Sequence, residues 1–307
     1  MNDYNGIIVG VGGNLYLELY EYAPIHVPVL DKQLAEKIMN ASSRNITYKM
    51  GYAEVSVARI DREILQFQVM GKVYELSVDV LKGIRGGDKL YAVLGDGKLV
   101  PLEVRGSSYY KLYPTSPSTP PTLEIDGIHM HRITGSDPHR DTLAKINAAR
   151  IRRGSRVLDT CMGLGYTAIY SLDSGASLVV SFEVSEEVLL LAEYNPWSWR
   201  LSDARITILH NDVTEAIHYL PEGYFDRVIH DPPRLTSSTG DLYSRRFYGE
   251  LYRVMKPGGI LFHYTGEPGK LRRINLPGRV ASRLKETGFI VKYYDGRARG
   301  VVAVRPR

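Results

Sequence analysis

The chain has 307 residues, 44% hydrophobic and 24% charged, which is enough for two domains and has the balance of a soluble globular protein. No apolar run reaches the roughly 20 residues of a membrane span, and the first residues lack the basic segment and cleavage site of a secretory signal. The single cysteine, Cys161, excludes a disulfide framework and a cysteine-based zinc site, so a cytoplasmic location is expected.

The first third alternates apolar and polar residues in short stretches. Residues 6–22 read as strands, and the run Gly10-Val11-Gly12-Gly13 has no helical pattern after it, which predicts a hairpin turn rather than a dinucleotide loop. DKQLAEKIMN (31–40) combines a capping Asp31 with apolar residues at helical spacing and predicts one short helix. Residues 45–112 return to strands, broken at Gly86-Gly87 and at Gly95-Asp96-Gly97. The stretch PTSPSTPPT (114–122) holds four prolines and predicts a stiff connector. The expected division is a β-rich N-terminal domain over 1–113, a linker and junction over 114–134, and a second domain over 135–307. His129, His131 and His139 lie close in sequence without a fourth ligand at metal spacing, so no metal is expected.

Asp137-Pro138 predicts the cap and first turn of a helix running to about 150. From 154 onward strands and helices alternate. RVLDTC, LVVSFEV, RITILHND, FDRVIHDPP and GILFHYTG read as strands; 166–172, 186–194, 213–220, 246–255 and 280–287 read as helices. FIVKYY and VVAVRP close the chain as a hairpin-like pair. This order predicts an α/β fold, a doubly wound Rossmann-like domain whose ligands sit at the carboxyl ends of its strands. The net charge of +5 lies beyond residue 113: residues 1–113 hold 13 basic and 13 acidic side chains, the remainder 26 and 21. Eleven basic and two acidic residues fall in the last forty, which suits either an anionic partner such as RNA or a solvated arginine-rich surface.

VLDTCMGLGYT (157–167) organises the second half. Two apolar residues lead into Asp159, then Gly163 and Gly165 make a turn in which a backbone without Cβ lets a ligand approach. Acids recur at the ends of the next three strands: Glu183, Asp212 and Asp231. Glu183 lies 20 residues after Gly163, where an acid accepts hydrogen bonds from a ribose diol or, failing that, caps a helix. Asp212 is placed to meet the edge of an adenine, and Asp159 to orient the turn or reach a ligand ammonium. A nicotinamide dinucleotide would use the glycines and Glu183, but not Asp212 or the DPP element.

This half resembles the class I S-adenosylmethionine-dependent methyltransferases over about residues 135–307. VLDTCMGLGYTA is similar to their first motif, SFEV to their ribose-binding acid, HNDV to their adenine-side motif and HDPPR to their fourth motif. PTLEIDGIHMHR, AEYNPWS, HDPPR, DLYSRRFYGELYRVMKPGG and HYTGEPG also resemble a family of predicted archaeal methyltransferases. The resemblance implies S-adenosylmethionine as cofactor, held by Asp159, Gly163, Gly165, Tyr166, Thr167, Glu183, Val184, Asp212 and Val213.

It also implies that Asp231, Pro232 and Pro233 direct a target nitrogen at the methyl group, as the D/N-P-P-aromatic motif does in amino-group methyltransferases. Arg234 replaces the aromatic, and could stack on a base, bind a phosphate or pair with a neighbouring acid. His263 is a candidate to assist proton removal, and Tyr243 and Tyr264 are candidate substrate contacts. The reading is N-methylation of RNA, a transfer or ribosomal RNA, with the N-terminal domain and the basic C-terminal edge helping to bind it. Protein methylation is a second possibility, and aminopropyl transfer from decarboxylated S-adenosylmethionine a third. An RNA-binding module on an inactive methyltransferase fold is disfavoured by the intact acids. The sequence sets no oligomeric state.

Overall fold

A computed structural model describes residues 17–116, 118–266 and 275–307 in full, with the backbone of two short paired strands, Asn2–Tyr4 and Ile7–Val9. The turn expected at 10–13 and the basic residues of 267–274 lie outside the described residues. Two compact units emerge: Met1–Glu21 with Arg140–Glu186 and Asp203–Arg307, and Tyr22–His139 with Glu187–Ser202. No described helix is long and apolar enough to cross a membrane.

The first unit is built on a seven-stranded sheet. Its strands are β1 Arg156–Asp159, β2 Leu178–Glu183, β3 Ile206–His210, β4 Phe225–His230, β5 Met255–Tyr264, β6 Ile290–Asp295 and β7 Gly300–Val304, in the spatial order β3-β2-β1-β4-β5-β7-β6. The first five are parallel, and β7 runs antiparallel between β5 and β6. The order reverses beside β1, so the acids at the ends of β1, β2 and β4 open onto one crevice. LVVSFE of β2 is buried along nearly its whole length, as a central parallel strand must be.

Helix α1 spans Pro138–Ala149, α2 Tyr166–Asp173, α3 Glu186–Tyr194, α4 Val213–Ala216, α5 Arg245–Val254 and α6 Leu276–Glu286. In α5, Ser244 caps the first turn, and Phe247, Tyr248, Leu251 and Val254 form one buried stripe. Each such side chain contributes about 2 kcal/mol of apolar burial. It joins Leu158, Val180, Val228 and Leu261 of the sheet and Val280 and Leu284 of α6 in one core.

Two local expectations are corrected. The strand expected to begin at Gly259 begins at Met255, and in this β5 Phe225 faces Met255 but Arg227 faces Ile260; Gly258, with φ +80°, absorbs the extra residues. The helix expected over 213–220 stops at Ala216 and tightens into a 3-10 turn, Ile217–Tyr219. Residues 18–20 run along β3, with Tyr20 N–H bonded to Ile208 O and His210 N–H to Glu18 O, which covers an otherwise open sheet edge.

In the second unit Asn45–Met50, Ala53–Arg59, Ile64–Val69 and Lys72–Ser77 form an antiparallel meander. Asp31 caps the helix Lys32–Asn40 through Leu34 N–H, as its position predicts. The stretch 114–122 joins Tyr109–Tyr113 to Thr122–Ile125, which pair with Tyr113 opposite Thr122, so it closes a hairpin inside this unit. A short helix, Val78–Lys82, stands where only strand was expected, started by the Ser77 side chain.

Candidate active site

The turn after β1 is built around Asp159, which is fully buried. Its Oδ2 accepts hydrogen bonds from Thr167 Oγ1 at 2.7 Å and Ser181 Oγ at 3.0 Å, tying the start of α2 and the middle of β2 to the end of β1. Oδ1 meets no donor in hydrogen-bonding geometry, although the Cys161 amide pulls on the carboxylate. Burial pushes the Asp159 carboxyl up to about 7. Met162 N–H bonds to Phe182 O, and the chain then passes through Gly163 and Gly165 at φ +54° and +75°, left-handed conformations that favour glycine.

Glu183 closes the other side. Its Oε2 accepts from Gly163 N–H at 2.8 Å, and its Oε1 from Val184 N–H at 2.9 Å and Ser185 N–H at 3.0 Å. Burial raises this carboxyl, and the three amides oppose the rise. Val184 leaves the strand with its side chain largely exposed, and Asp212 is exposed at the head of α4. Asp212 Oδ1 caps the helix, accepting from Thr214 N–H at 2.8 Å and Thr214 Oγ1 at 2.7 Å.

Asp231 follows β4, with its side chain 19% exposed. Its Oδ2 lies 2.5 Å from Lys145 Nζ, and the same ammonium lies 3.0 Å from Asp141 Oδ2. Lys145 and Asp141 are each 1% exposed, and the Lys145 ammonium stands 4.8 Å from the centre of the Tyr264 ring. Burial alone would strip the Lys145 proton; the two carboxylates outweigh it and hold the ammonium above its ordinary range. Burial raises Asp231, Lys145 pulls it back, and Asp141 pushes it up again. The charges of Glu183, Asp159 and Asp231 all press on the Cys161 thiol, which places the three acids around one turn.

Sequence reasoning missed Asp141 and Lys145. The signal is that both fall on the buried face of α1, with Thr142, Ile146 and Ala149, at an i, i+4 spacing that lets them pair.

The structure buries the side chains of four expected contacts. Tyr166 is 2% exposed, so its side chain packs in the core. Val213 is 4% exposed and part of the same core, which leaves only its main chain to meet a ligand. Tyr243 is also buried, and its hydroxyl donates to Pro233 O at 2.8 Å while its carbonyl accepts from Arg283 Nη1 at 2.7 Å. It therefore holds the DPP turn from behind and is no substrate contact. His263 is fully buried, with Nδ1–H bonded to Tyr264 O and Nε2 accepting from the Tyr248 hydroxyl, both at 2.8 Å. Burial lowers it to about 3, so it is not positioned to take a proton from a substrate.

His230 is enclosed beside it, Nε2–H bonded to Leu242 O at 2.9 Å and Nδ1 accepting from Thr160 Oγ1 at 2.6 Å. Thr167 is used internally by Asp159, Pro232 is buried, and Pro233 and Arg234 are exposed. Among the described residues no cluster of His, Cys, Asp or Glu could hold a metal ion.

These residues fit S-adenosylmethionine. A Cβ built on Gly163 would meet nothing within 4 Å, so the turn leaves room above it for a ligand. Glu183 offers a carboxylate beside that space for a ribose diol, and the Asp159 carboxylate keeps an oxygen without a hydrogen bond beneath it.

No family model matches the chain. It is 42% identical over 284 residues to an uncharacterized protein of Methanocaldococcus jannaschii, covering 91% of this chain and 96% of the other. Over 125 residues it is 29% identical to ribosomal RNA large subunit methyltransferase I of Aeromonas hydrophila, a match spanning 38% of this chain but only 32% of that enzyme. Among solved structures, spermidine synthase from Thermotoga maritima aligns with a TM-score of 0.52 at 18% identity, covering 66% of this chain and 71% of that one. At that identity the likeness is one of fold.

Proposed function

We propose that this chain, which belongs to one family with the M. jannaschii protein and to the class I S-adenosylmethionine-dependent methyltransferases, methylates a nitrogen atom of RNA, a transfer RNA or a ribosomal RNA. The cofactor, S-adenosylmethionine, supplies an electrophilic methyl group on a sulfonium. Gly163 and Gly165 shape the space for its methionine end, Glu183 accepts from its ribose, and Asp212 with the Val213 main chain borders its adenine.

The observation that carries the nitrogen target is Asp231. Lys145 engages one carboxylate oxygen, and among the described residues Oδ1 accepts no hydrogen bond. An N–H of a substrate amine can donate there and to a main-chain carbonyl of the Pro232–Pro233 turn, which Tyr243 holds from behind. Two acceptors fix the nitrogen so that its lone pair faces the methyl group, and the Asp231 charge stabilises the cation that develops.

The basic excess beyond residue 113, the exposed Arg234 beside Asp231 and the ribosomal RNA methyltransferase relative all support RNA as the substrate class. The loop PPRLTSSTGDLYSRRFY (232–248), with three arginines to one aspartate, also disfavours a polycationic acceptor. The test is transfer of radiolabelled methyl from S-adenosylmethionine to RNA, protein and small-molecule fractions of a deletion strain. Label in RNA is expected. Label confined to protein would assign a protein substrate, and turnover only with decarboxylated S-adenosylmethionine and a diamine would make the enzyme an aminopropyltransferase.

A further inference from the structure

We propose that Lys145 is a positioning residue for transfer: with Asp141 as its second partner, it fixes Asp231 as an anion with Oδ1 turned to the substrate nitrogen. The inference rests on the reading of Asp231 as the nitrogen acceptor. The ammonium is buried, lies 2.5 Å from Asp231 Oδ2 and 3.0 Å from Asp141 Oδ2, and is backed by the Tyr264 ring.

Chemistry requires such a device. A carboxylate accepts hydrogen bonds only, whereas a protonated carboxyl donates one. A protonated Asp231 would donate to the nitrogen lone pair that must attack the methyl group, and so would block transfer. Burial pushes Asp231 toward that protonated state. Lys145 opposes it by binding the oxygen that the substrate does not need. Neutralisation is then the opposite hazard, because a one-to-one pair would leave no charge to stabilise a forming ammonium. Asp141 moderates that hazard: a second carboxylate 3.0 Å from the ammonium shares its charge, so that Lys145 does not serve Asp231 alone.

The pairing also sets direction. Lys145 projects from the middle of α1, so it reaches Asp231 from a helix rather than from the loop that carries the substrate contacts. A salt bridge formed for stability alone could have used any buried neighbour, and a well-packed apolar pair would serve that purpose as well. The titratable groups that surround Asp231 are Lys145 and Asp141 of α1, Asp159 and Cys161 of β1 and its turn, Tyr243 before α5, and Tyr264 of β5.

The experiment follows the Asp231 carboxyl carbon by NMR in the full chain, with Asp231→Asn identifying its signal, across Lys145→Met and Asp141→Asn variants. Lys145→Met should raise the titration midpoint by at least about one pH unit, a tenfold change in proton affinity. Asp141→Asn should lower it, because Lys145 then serves Asp231 alone. With tritiated S-adenosylmethionine and RNA from a deletion strain, Lys145→Met should lose transfer at neutral pH, recover it as pH rises through the new midpoint, and bind the cofactor as before. Midpoints unmoved in either folded variant would overturn the inference, and Asp141→Asn decides alone if Lys145→Met does not fold. Wild-type protein that labels no RNA would overturn the RNA reading, while the two titrations still decide the role of Lys145.

Discussion

Glu183 and Gly163 are bonded across the mouth of the glycine turn, the carboxylate Oε2 accepting the Gly163 N–H at 2.8 Å. The same carboxylate takes the Val184 and Ser185 amides on its other oxygen. One acid therefore fixes the turn to the end of β2 while leaving a lone pair on Oε2.

Glu183→Ala should weaken S-adenosylmethionine binding by about 100-fold, the loss of one or two charge-assisted hydrogen bonds at about 1.5–3 kcal/mol each. Glu183→Gln, which keeps one acceptor, should cost about tenfold. Calorimetric titration measures both. An unchanged dissociation constant in the alanine variant would remove Glu183 from the cofactor site.

Tyr243 acts at one remove from the substrate. Its hydroxyl holds Pro233 O at 2.8 Å from a fully enclosed position, so Tyr243→Phe deletes one hydrogen bond and little packing. A stability loss of about 1 kcal/mol is expected. Methyl transfer should fall by about tenfold with cofactor affinity kept, because the DPP turn loses its rear support. Equal turnover by the two proteins would reduce Tyr243 to a core residue.

Gly163 offers a cleaner separation of backbone from ligand. At φ +54° an L residue is strained by about 1–2 kcal/mol. Nothing lies within 4 Å of the added Cβ, so Gly163→Ala should cost the free protein only that strain. Cofactor affinity should drop by far more, since the methyl group enters the space the ligand needs. Melting curves with and without S-adenosylmethionine separate the two effects: a ligand-induced rise in melting temperature as large as in the wild type would show that the space above Gly163 is not the binding site.

What could be read from the sequence divides by range. The parallel strands were legible because short segments rich in Val, Ile and Leu, such as LVVSFE and RITILH, alternate with helical patterns, and the crevice because acids end or follow such segments. The antiparallel β6–β7 pair was legible too, but its insertion beside β5 was not, since strand order depends on contacts far apart in sequence. PTSPSTPPT has linker composition, yet the pairing of Tyr113 with Thr122 makes it a hairpin loop, because the flanking strands decide and the prolines only permit. His263 looked like a site residue because it ends a strand, and Tyr243 because it lies in the loop-like approach to a helix. Their ring and hydroxyl groups are instead consumed by Tyr248, Tyr264 and Pro233. Side-chain direction at a strand end alternates residue by residue, and a one-residue difference separates crevice from core.

The buried Asp159 makes stability fall as pH rises, opposite to the usual carboxylate. Its folded value is about 7 against an ordinary 3.8. Below about pH 4 both folded and unfolded forms are protonated, and the group contributes nothing. Between about 4 and 7 the unfolded carboxyl ionises while the folded one keeps its proton. The folded state then binds more protons, so stability declines with pH and levels off above about 7. A shift of about three units sets an upper bound near 4 kcal/mol, and relaxation around the site brings the expected loss to about 1–2 kcal/mol. His230 and His263 work in the other direction: both are lowered, so the unfolded state binds more protons below about 6.5 and acid destabilises the fold. The Asp159 effect is therefore best isolated by substitution. Asp159→Asn keeps an oxygen for Thr167 and Ser181 and carries no charge, so its stability relative to the wild type should rise by about 1–2 kcal/mol between pH 5 and pH 8. Urea unfolding followed by far-ultraviolet circular dichroism at pH 5, 6, 7 and 8 checks this. Parallel curves for the two proteins would mean that Asp159 is ionised throughout, its charge balanced by donors inside the turn.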